Sequence, residues 1–185
     1  MRRFPDGVSA AVEIQSSSIH GQGVFALRPF QAGESVLAID DSRIVDETRP
    51  LRPELEEWDH HCDYLADGRV VLMAAPERHI NSSCDPNTYV QTRDEVRYVL
   101  ARRAIAAGEE ITYDYIINCH GGDVWTCVCG SPHCRGEVPS SFFELPDADL
   151  IRYLPLLDTW FVDEHTLRIR QLCRRLRAAC GDEGR

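Results

Sequence analysis

The stretch R-H-I-N-S-S-C-D-P-N, residues 78–87, organises the rest of this chain. Its Asn, Ser, Asp and Pro residues favour a turn, because they hydrogen-bond their own backbone or fix φ. Its one cysteine, Cys84, has no local partner, whereas Cys127, Cys129 and Cys134 follow together much later in the chain. Four thiols divided in this way predict that the early turn and the late knuckle lie together in space.

The late knuckle is C-V-C-G-S-P-H-C-R-G, residues 127–136. Crowded cysteines in a reducing compartment more often hold metal than form disulfides. Structural zinc is tetrahedral and prefers four thiolates, of which this knuckle supplies three. Cys84 is the best candidate for the fourth ligand. The alternatives are His133 first, and then Cys119 or His120.

The remaining cysteines have no tight spacing and are predicted to be small structural side chains. They are Cys62, Cys119, Cys173 and Cys180.

Length and composition set the class of protein. A chain of 185 residues is expected to form one domain, and 43% apolar with 27% charged residues is ordinary for a soluble globular protein. No apolar run approaches the roughly 20 residues that span a bilayer. The N-terminal M-R-R-F-P-D-G lacks the apolar core of a signal peptide. We therefore expect a cytoplasmic protein, or a nuclear one if the source is eukaryotic.

The net charge of −10 bears on partners. A nucleic-acid-binding protein would show a basic footprint, so direct nucleic-acid binding is not expected. A strongly acidic protein attracts cationic partners over long range, which favours a basic protein or peptide.

The hydrophobic pattern predicts a mainly β protein with C-terminal helices. Up to about residue 118 we expect short strands separated by Gly/Pro turns, at 11–15, 35–39, 69–75, 96–101 and 110–117. Residues 147–180 carry helical spacing, with helices predicted at 150–154 and 163–176. In the second of these, Leu167, Leu172 and Leu176 are predicted to form the buried stripe.

A Ser/Gly-rich turn, S-S-S-I-H-G-Q-G-V-F-A-L at residues 16–27, precedes the second predicted strand. Gly21 and Gly23 permit positive φ and let a ligand approach the backbone closely. No long helix follows, so a Rossmann dinucleotide site is not expected.

Taken together, these motifs resemble the SET-domain protein lysine methyltransferases over about residues 10–138. H-G-Q-G-V-F-A (20–26) is similar to the opening Gly motif of that family, and 78–87 is similar to its R-F-I-N-H-S-C-x-P-N. G-E-E-I-T-Y-D-Y (108–115) is similar to its G-E-E-L-T-Y-D-Y, and 127–136 to its zinc-binding post-SET tail. Three departures are Ser82 in place of the usual His, His79 in place of an aromatic residue, and Ala74-Ala75 in place of a G-N pair.

The resemblance implies a SET-domain β-clip fold of small curved sheets. In that fold the segment carrying Tyr115 passes beneath the loop carrying Asn81, which forms a pseudoknot. It also implies a SET domain at 10–118 and a post-SET zinc-binding segment at 119–138. A C-terminal helical extension would follow at 139–185.

The same resemblance implies S-adenosylmethionine as cofactor and a lysine of a basic protein as substrate. The backbone of Gln22 and Gly23 and the side chain of Asn81 would bind the methionine part, and the backbone of Ser82 would meet the adenine. Tyr115 would be the catalytic tyrosine, also contacting the cofactor, and Tyr113 would line the lysine channel. The implied zinc ligands are Cys84, Cys127, Cys129 and Cys134.

Two other classes of function are compatible with parts of the sequence. A catalytically weak or inactive SET-like module would keep the zinc and the fold but only bind proteins. A purely structural zinc-ribbon adaptor would not account for N-S-S-C and Y-D-Y together.

Overall fold

In the computed structural model of the protein, which describes residues 11–65 and 67–181 and side chains as far as residue 177, twelve short strands precede three helices. The strands are β1 (Val12–Ser16), β2 (Gln22–Ala26), β3 (Ser35–Ala38), β4 (Ile44–Val45), β5 (Cys62–Tyr64), β6 (Val70–Leu72), β7 (Asn81–Ser82), β8 (Thr88–Arg93), β9 (Val96–Ala101), β10 (Glu110–Tyr113), β11 (Trp125–Thr126) and β12 (Glu137–Val138). The helices are α1 (Asp147–Tyr153), α2 (Thr159–Glu164) and α3 (Thr166–Gly181). Single 3-10 turns lie at Pro53–Leu55, Asp59–His61, Glu77–His79, Phe142–Glu144 and Leu154–Leu156.

A four-stranded sheet in the order β1-β2-β10-β7 brings three of the sequence motifs side by side. Strand β2 pairs antiparallel with β1 and with β10. Strand β10 also pairs with β7 in parallel, with Asn81 opposite Thr112 and Ser82 opposite Tyr113. The turn at 78–87 and the stretch 108–115 are therefore neighbours in space. The threading of one beneath the other as a pseudoknot stays a prediction.

The other sheets are small: β3-β9-β8, β4-β6-β5 and the two-stranded β11-β12. The strand expected at 96–101 is present with the expected ends as β9, and those expected at 11–15, 35–39 and 69–75 are present with shifted ends. The strand expected at 110–117 is shorter, because β10 ends at Tyr113 and the chain turns, with the amide of Ile117 donating to the carbonyl of Asp114. The polar segment 40–68 contains β4 and β5, which its composition did not indicate.

The C-terminal helices differ from the predicted pattern in their ends and in their buried stripe. The helix expected at 150–154 is α1, which begins earlier, at Asp147. The single helix expected at 163–176 is divided, because α2 ends at Glu164 and α3 begins at Thr166. Leu172 and Leu176 are buried as predicted, but Leu167 is 73% exposed, so that part of the stripe was wrong. Ile169 takes its place, since positions 169, 172 and 176 recur on one face at 3.6 residues per turn. Within the described residues, none of the helices combines the length and the apolar character that a bilayer crossing requires.

Two hydrophobic clusters hold these elements together. One is built from the sheets around Val24, Phe30 and Ile111. The second joins Cys84 and Cys127 to side chains of all three helices. Cys119 and Cys173 pack against this second cluster, as small structural side chains would, and the side chain of Cys180 lies outside the described residues. The predicted fold class, small sheets followed by C-terminal helices, is confirmed.

The division at 118, 138 and 139 stays a prediction. The second cluster contains Ile116 and Ile117 from before the first boundary, Val138 from the predicted post-SET segment, and Phe142 and Leu150 from the predicted extension. The helices are thus packed onto the knuckle and the end of the sheet region by one continuous set of apolar contacts.

Candidate active site

The loop between β1 and β2 is shaped by a hydrogen-bond network around Glu110. The hydroxyl of Ser17 donates to Glu110 Oε1 at 2.7 Å, and Asn81 Nδ2 donates to the same oxygen at 2.8 Å. A Cβ at Gly23 would lie 2.3 Å from that oxygen, so a side chain at this position would displace the Glu110 carboxylate. Gly21 has φ +48°, a left-handed conformation that glycine adopts without strain.

Asn81 fixes this loop against β7. Its Nδ2 donates to the carbonyl oxygens of His20 at 3.2 Å and Gln22 at 3.0 Å, as well as to Glu110. The structure therefore brings together Gln22, Gly23 and Asn81, three of the residues predicted to bind a cofactor. Ser82 follows Asn81 in β7, and its hydroxyl accepts from the amide of Tyr115 at 3.3 Å.

Asn87, which the sequence presented only as a turn residue, is a clip for β10. Its Nδ2 donates to the carbonyl of Glu110 at 2.7 Å and to Glu109 Oε1 at 2.9 Å. Its Oδ1 accepts from the amide of Thr112 at 2.8 Å. Because Asn87 is only 2% exposed, these hydrogen bonds are buried, and they help to fix the register of β10.

The two predicted tyrosines lie together where β10 ends. The ring centroids of Tyr113 and Tyr115 are 5.1 Å apart, and the ring centroid of Trp125 is 6.2 Å from that of Tyr115. The Tyr115 hydroxyl donates to the carbonyl of Ile80 at 2.7 Å. This bond joins Tyr115 to the residue just before Asn81, and the Asn81 side chain in turn binds the loop that carries Gln22 and Gly23.

Both tyrosine hydroxyls stay protonated at neutral pH. Burial raises the pKa of Tyr115 to about 12, with a further contribution from the charge of Glu77, although 46% of the residue remains exposed. Burial also raises the pKa of Tyr113 well above 10. The two side chains can therefore donate hydrogen bonds and orient a bound group, but neither is a ready acceptor of protons.

A cleft of about 1130 Å³ opens in front of these tyrosines. Tyr113 and Tyr115 line it, together with Glu77, Asp63 and Arg97. The residues that line this cleft do not include four of the predicted cofactor-binding residues, Gln22, Gly23, Asn81 and Ser82. The predicted site thus has two parts, an open cleft and the loop of residues 20–23, and Tyr115 of the cleft is linked by its bond to Ile80 to the residue next to Asn81, which holds the loop.

The four predicted metal ligands converge. The sulfur atoms of Cys84, Cys127, Cys129 and Cys134 all lie within 4.8 Å of one another. A Zn–S bond of about 2.3 Å in a tetrahedron separates sulfurs by roughly 3.8 Å, and the Cys84 and Cys127 sulfurs are 3.6 Å apart. The alternatives His133, Cys119 and His120 lie outside this cluster.

Backbone amides are directed at these sulfurs. The amide of Cys84 donates to the sulfur of Cys129, and the amide of Arg135 donates to the sulfur of Cys84, each at 3.5 Å. Burial alone would raise the pKa of Cys129, but hydrogen bonds from the amides of Cys84 and Ser131 outweigh it and lower the pKa to about 7. This favours the thiolate of Cys129, which is the form that binds metal, whereas burial raises the pKa values of Cys84 and Cys127.

A buried polar hub connects the cysteine cluster to β10 and α1. Arg135, next to Cys134, pairs with Asp114 at 2.6 Å, and both side chains are almost fully buried. The hydroxyl of Tyr153 lies 2.8 Å from the carbonyl of Cys84 and 2.9 Å from Asp114 Oδ2. Burial opposes the charge of Arg135, but the Asp114 carboxylate raises its pKa above the ordinary value. The residue between the two predicted tyrosines is thus held by the knuckle and by the first helix.

A second anchor joins the helices to the sheets. The Asp158 carboxylate, at the start of α2, accepts from the amide and the hydroxyl of Thr92 at 2.8 and 2.7 Å. The amide of Asp158 donates to Asn118 Oδ1 at 2.8 Å. The sequence pattern missed Asp158, Tyr153 and Arg135, because each acquires its role from a partner far away in the chain.

Comparison with known proteins gives a family match. The model of the SET domain matches residues 21–116. Histone-lysine N-methyltransferase ATX2 of Arabidopsis thaliana is 30% identical over 153 residues, which cover 72% of this chain and 13% of that protein. Histone-lysine N-methyltransferase ash1 of Drosophila melanogaster is 32% identical over 144 residues, or 71% of this chain and 6% of that protein.

A shorter but closer match is the histone-lysine N-methyltransferase, H3 lysine-36 specific, of Aspergillus fumigatus, with 41% identity over 99 residues. It covers 49% of this chain and 10% of that protein, so the chain spans only a small part of the length of these three relatives. A crystal structure from Plasmodium falciparum aligns at a TM-score of 0.45 and 22% identity, over 57% of this chain and 92% of that one. That level of structural similarity supports no inference about this chain.

Proposed function

Since the chain belongs to the SET-domain family, we propose that it is a protein-lysine N-methyltransferase that uses S-adenosylmethionine to methylate a lysine of a basic protein. The observation that carries the proposal is the position of Tyr115. Tyr115 lines the open cleft, and its hydroxyl is held on the carbonyl of Ile80, the residue before Asn81, whose side chain binds the loop of residues 20–23. A lysine entering the cleft and a methyl donor on the loop would meet there.

The loop of residues 20–23 and Asn81 would hold the cofactor. Nδ2 of Asn81 is used by the protein, whereas its Oδ1 has no hydrogen-bond partner among the described residues and can accept from an amino group. Gly21 has nothing within 4 Å of a Cβ placed on it, which leaves open space beside the backbone of Gln22. Bound S-adenosylmethionine would supply an electrophilic methyl group on its sulfonium.

The attacking amine must be neutral. A free lysine has a pKa near 10.4, so at pH 7 the neutral form lies about 4.6 kcal/mol above the ammonium. Tyr113 and Tyr115 keep their protons and can position the amine with their hydroxyls, and the carbonyl of Ile80 adds an acceptor beside them. We propose that these groups act by positioning and that Tyr115 is catalytic.

Cys84, Cys127, Cys129 and Cys134 would hold one structural zinc. Their mutual distances and the amides directed at Cys84 and Cys129 support this assignment. Zinc there would fix the knuckle to the turn that follows Asn81 and, through Arg135, to Asp114 between the two tyrosines. The predicted post-SET role of residues 119–138 follows from the same argument.

The substrate class is proposed from charge and from relatives. A net charge of −10 favours a basic partner, and the relatives reported above are named as histone-lysine methyltransferases. Histone tails are therefore the first basic proteins to test. The cytoplasmic location expected from the sequence stays a prediction, and methylation of a histone in a eukaryotic source would favour the nucleus instead.

The test is methyl transfer from S-adenosylmethionine labelled on its methyl group. Core histones and a second basic protein serve as acceptors, an acidic protein serves as the control, and calorimetry measures cofactor binding separately. We expect cofactor binding and label in lysine side chains of a basic acceptor only. Cofactor binding with no transfer to any acceptor would favour the inactive protein-binding module, and failure to bind cofactor would contradict the proposal.

A further inference from the structure

Glu77 occupies an unusual position in the cleft. It begins the 3-10 turn Glu77–His79, and its carbonyl accepts from the amide of Ile80, whose own carbonyl receives the Tyr115 hydroxyl. Glu77 lines the cleft but is only 3% exposed, so it lies at the floor. Its charge contributes to the raised pKa values of Tyr113 and Tyr115, which places the carboxylate within electrostatic reach of both.

One oxygen of the Glu77 carboxylate, Oε2, is buried and has no hydrogen-bond partner in the part of the chain that the structure describes. A buried polar atom left unsatisfied costs free energy, commonly about 1–3 kcal/mol, and in functional sites it often awaits a ligand. Here the unsatisfied atom belongs to a group that accepts hydrogen bonds when ionised and attracts cations.

Arg97, whose charge acts on Glu77, is already paired with other carboxylates. Arg97 donates from Nε and Nη2 to the carboxylate of Asp41 at 2.9 and 2.5 Å, and from Nη1 to Asp63. Asp41 and Asp63 therefore hold this guanidinium, and Glu77 feels its charge without a hydrogen bond to it. When Glu77 is ionised, the three carboxylates outnumber the one guanidinium, and an ammonium group would supply both a positive charge and a hydrogen-bond donor.

We propose that the Glu77 carboxylate receives the ammonium group of the substrate lysine at the floor of the cleft and accepts one of its protons. In this step one N–H bond breaks, an O–H bond forms on Glu77, and the lone pair stays on the nitrogen, which becomes the neutral nucleophile. After product leaves, Glu77 returns its proton to solvent through the open cleft. The inference rests on the proposed function and extends it to a residue that none of the sequence motifs marks.

The surroundings suit a proton acceptor that works near neutral pH. Burial raises the pKa of Glu77 to about 8; Arg97 opposes this rise, and the charges of Asp63, Asp41 and Asp40 add to it. The other titratable groups facing it are Tyr113 and Tyr115, which stay protonated, with Arg78 and His79 on its own turn. A carboxylate with a pKa near 8 is a far better match for a lysine amine than an ordinary glutamate.

The first test is a binding experiment that needs no turnover. Mixed-sequence peptides with a central lysine, and the same peptides with norleucine, are titrated into the wild-type chain and into Glu77→Gln. The wild type should prefer lysine, and Glu77→Gln, which keeps the shape but not the charge, should lose about tenfold of that preference. Glu77→Asp should retain part of it, and the distant exposed Glu54→Gln should match the wild type. An unchanged preference in Glu77→Gln would overturn the proposal.

The second test is the pH profile of kcat/KM on core histones. In the wild type, the reactive complex carries one proton between the Glu77 carboxylate and the lysine amine. The kcat/KM should therefore rise as Glu77 ionises, up to about pH 8, and then level off. In Glu77→Gln it should keep rising towards the pKa of lysine, so the deficit is about 100-fold below pH 8 and closes by about pH 10. Parallel profiles with less than a twofold deficit would refute proton transfer to Glu77.

The two outcomes separate this inference from the proposed function. A wild type that prefers lysine through Glu77 but transfers no methyl group would leave the amine site standing and contradict the methyltransferase proposal. If Glu77→Gln transfers methyl groups as fast as the wild type, the proposed function is retained and Glu77 has no part in it.

Discussion

Glu77 should make the folded protein less stable as the pH rises, and Glu77→Gln should remove that dependence. The unfolded chain ionises this carboxyl near its ordinary pKa of 4.5, whereas burial holds the pKa in the folded protein at about 8. Because the folded pKa is the higher one, the stabilising contribution is fully present below about pH 4.5. It is lost progressively as the pH rises to about 8.

The size of the effect follows from those two values. Each pKa unit corresponds to about 1.36 kcal/mol, so the difference between 4.5 and about 8 amounts to about 5 kcal/mol of unfolding free energy above pH 8. At pH 7 the loss is already about 3.4 kcal/mol. Both values are upper limits, because local rearrangement or water entering the cleft floor would solvate the ionised carboxylate and reduce the cost.

The assay is urea unfolding at pH 5 and at pH 8.5 for both proteins. The free energy of unfolding of the wild type should fall by several kcal/mol relative to Glu77→Gln between the two pH values. Other groups titrate equally in both proteins and cancel in this comparison. The exposed Glu54→Gln serves as the matched control and should follow the wild type. Equal pH dependence in Glu77→Gln and the wild type would show that Glu77 is not a buried, unpaired carboxyl.

Three further predictions concern the tyrosines and the knuckle. Tyr113→Phe should raise the number of methyl groups added rather than abolish transfer, because loss of one hydrogen bond of about 0.5–1.5 kcal/mol frees room at the amine and shifts the product ratio several-fold. Mass spectrometry of the modified histone measures this ratio, and an unchanged ratio would contradict the role given to Tyr113. The purified chain should contain one zinc by metal analysis, which Cys84→Ser should lose and Cys62→Ser, outside the cluster, should keep; full zinc in Cys84→Ser would refute the ligand set. After chelation, hydrogen exchange should first increase in residues beyond about 120. Tyr153→Phe should destabilise the protein by about 1–3 kcal/mol and speed zinc loss to a chelator, because the carbonyl of Cys84 and the Asp114 carboxylate lose a buried donor. The control is Tyr64→Phe, at an exposed position, and identical behaviour of the two variants would show that the Tyr153 hydrogen bonds do not support the cysteine cluster.

Features that depend on local chemistry were predictable from the sequence. Gly21 has the positive φ that its turn requires, and Gly23 leaves the space that Glu110 fills. The grouping of Cys84 with the late knuckle followed from counting thiols and from what zinc prefers. These signals are readable because the residue type itself restricts the backbone or the ligand.

Features that depend on distant partners were not predictable in the same way. Glu77 looks like an ordinary polar residue of a turn, and its isolation arises only because Asp41 and Asp63 already occupy Arg97. Leu167 was assigned to the buried stripe because the break between α2 and α3 at His165 leaves no mark in the spacing of leucines. Helical phase after such a break is set by packing, here by Ile169.

The most direct test of the central claim is Tyr115→Phe assayed with labelled S-adenosylmethionine. The change removes only the hydroxyl, which donates to the carbonyl of Ile80 at 2.7 Å. The account predicts that cofactor affinity by calorimetry stays within about twofold of the wild type, since Gln22, Gly23 and Asn81 are untouched, while methyl transfer to a basic protein falls by about 100-fold or more. Near-normal transfer by Tyr115→Phe would contradict the placement of the reacting groups at this point of the fold.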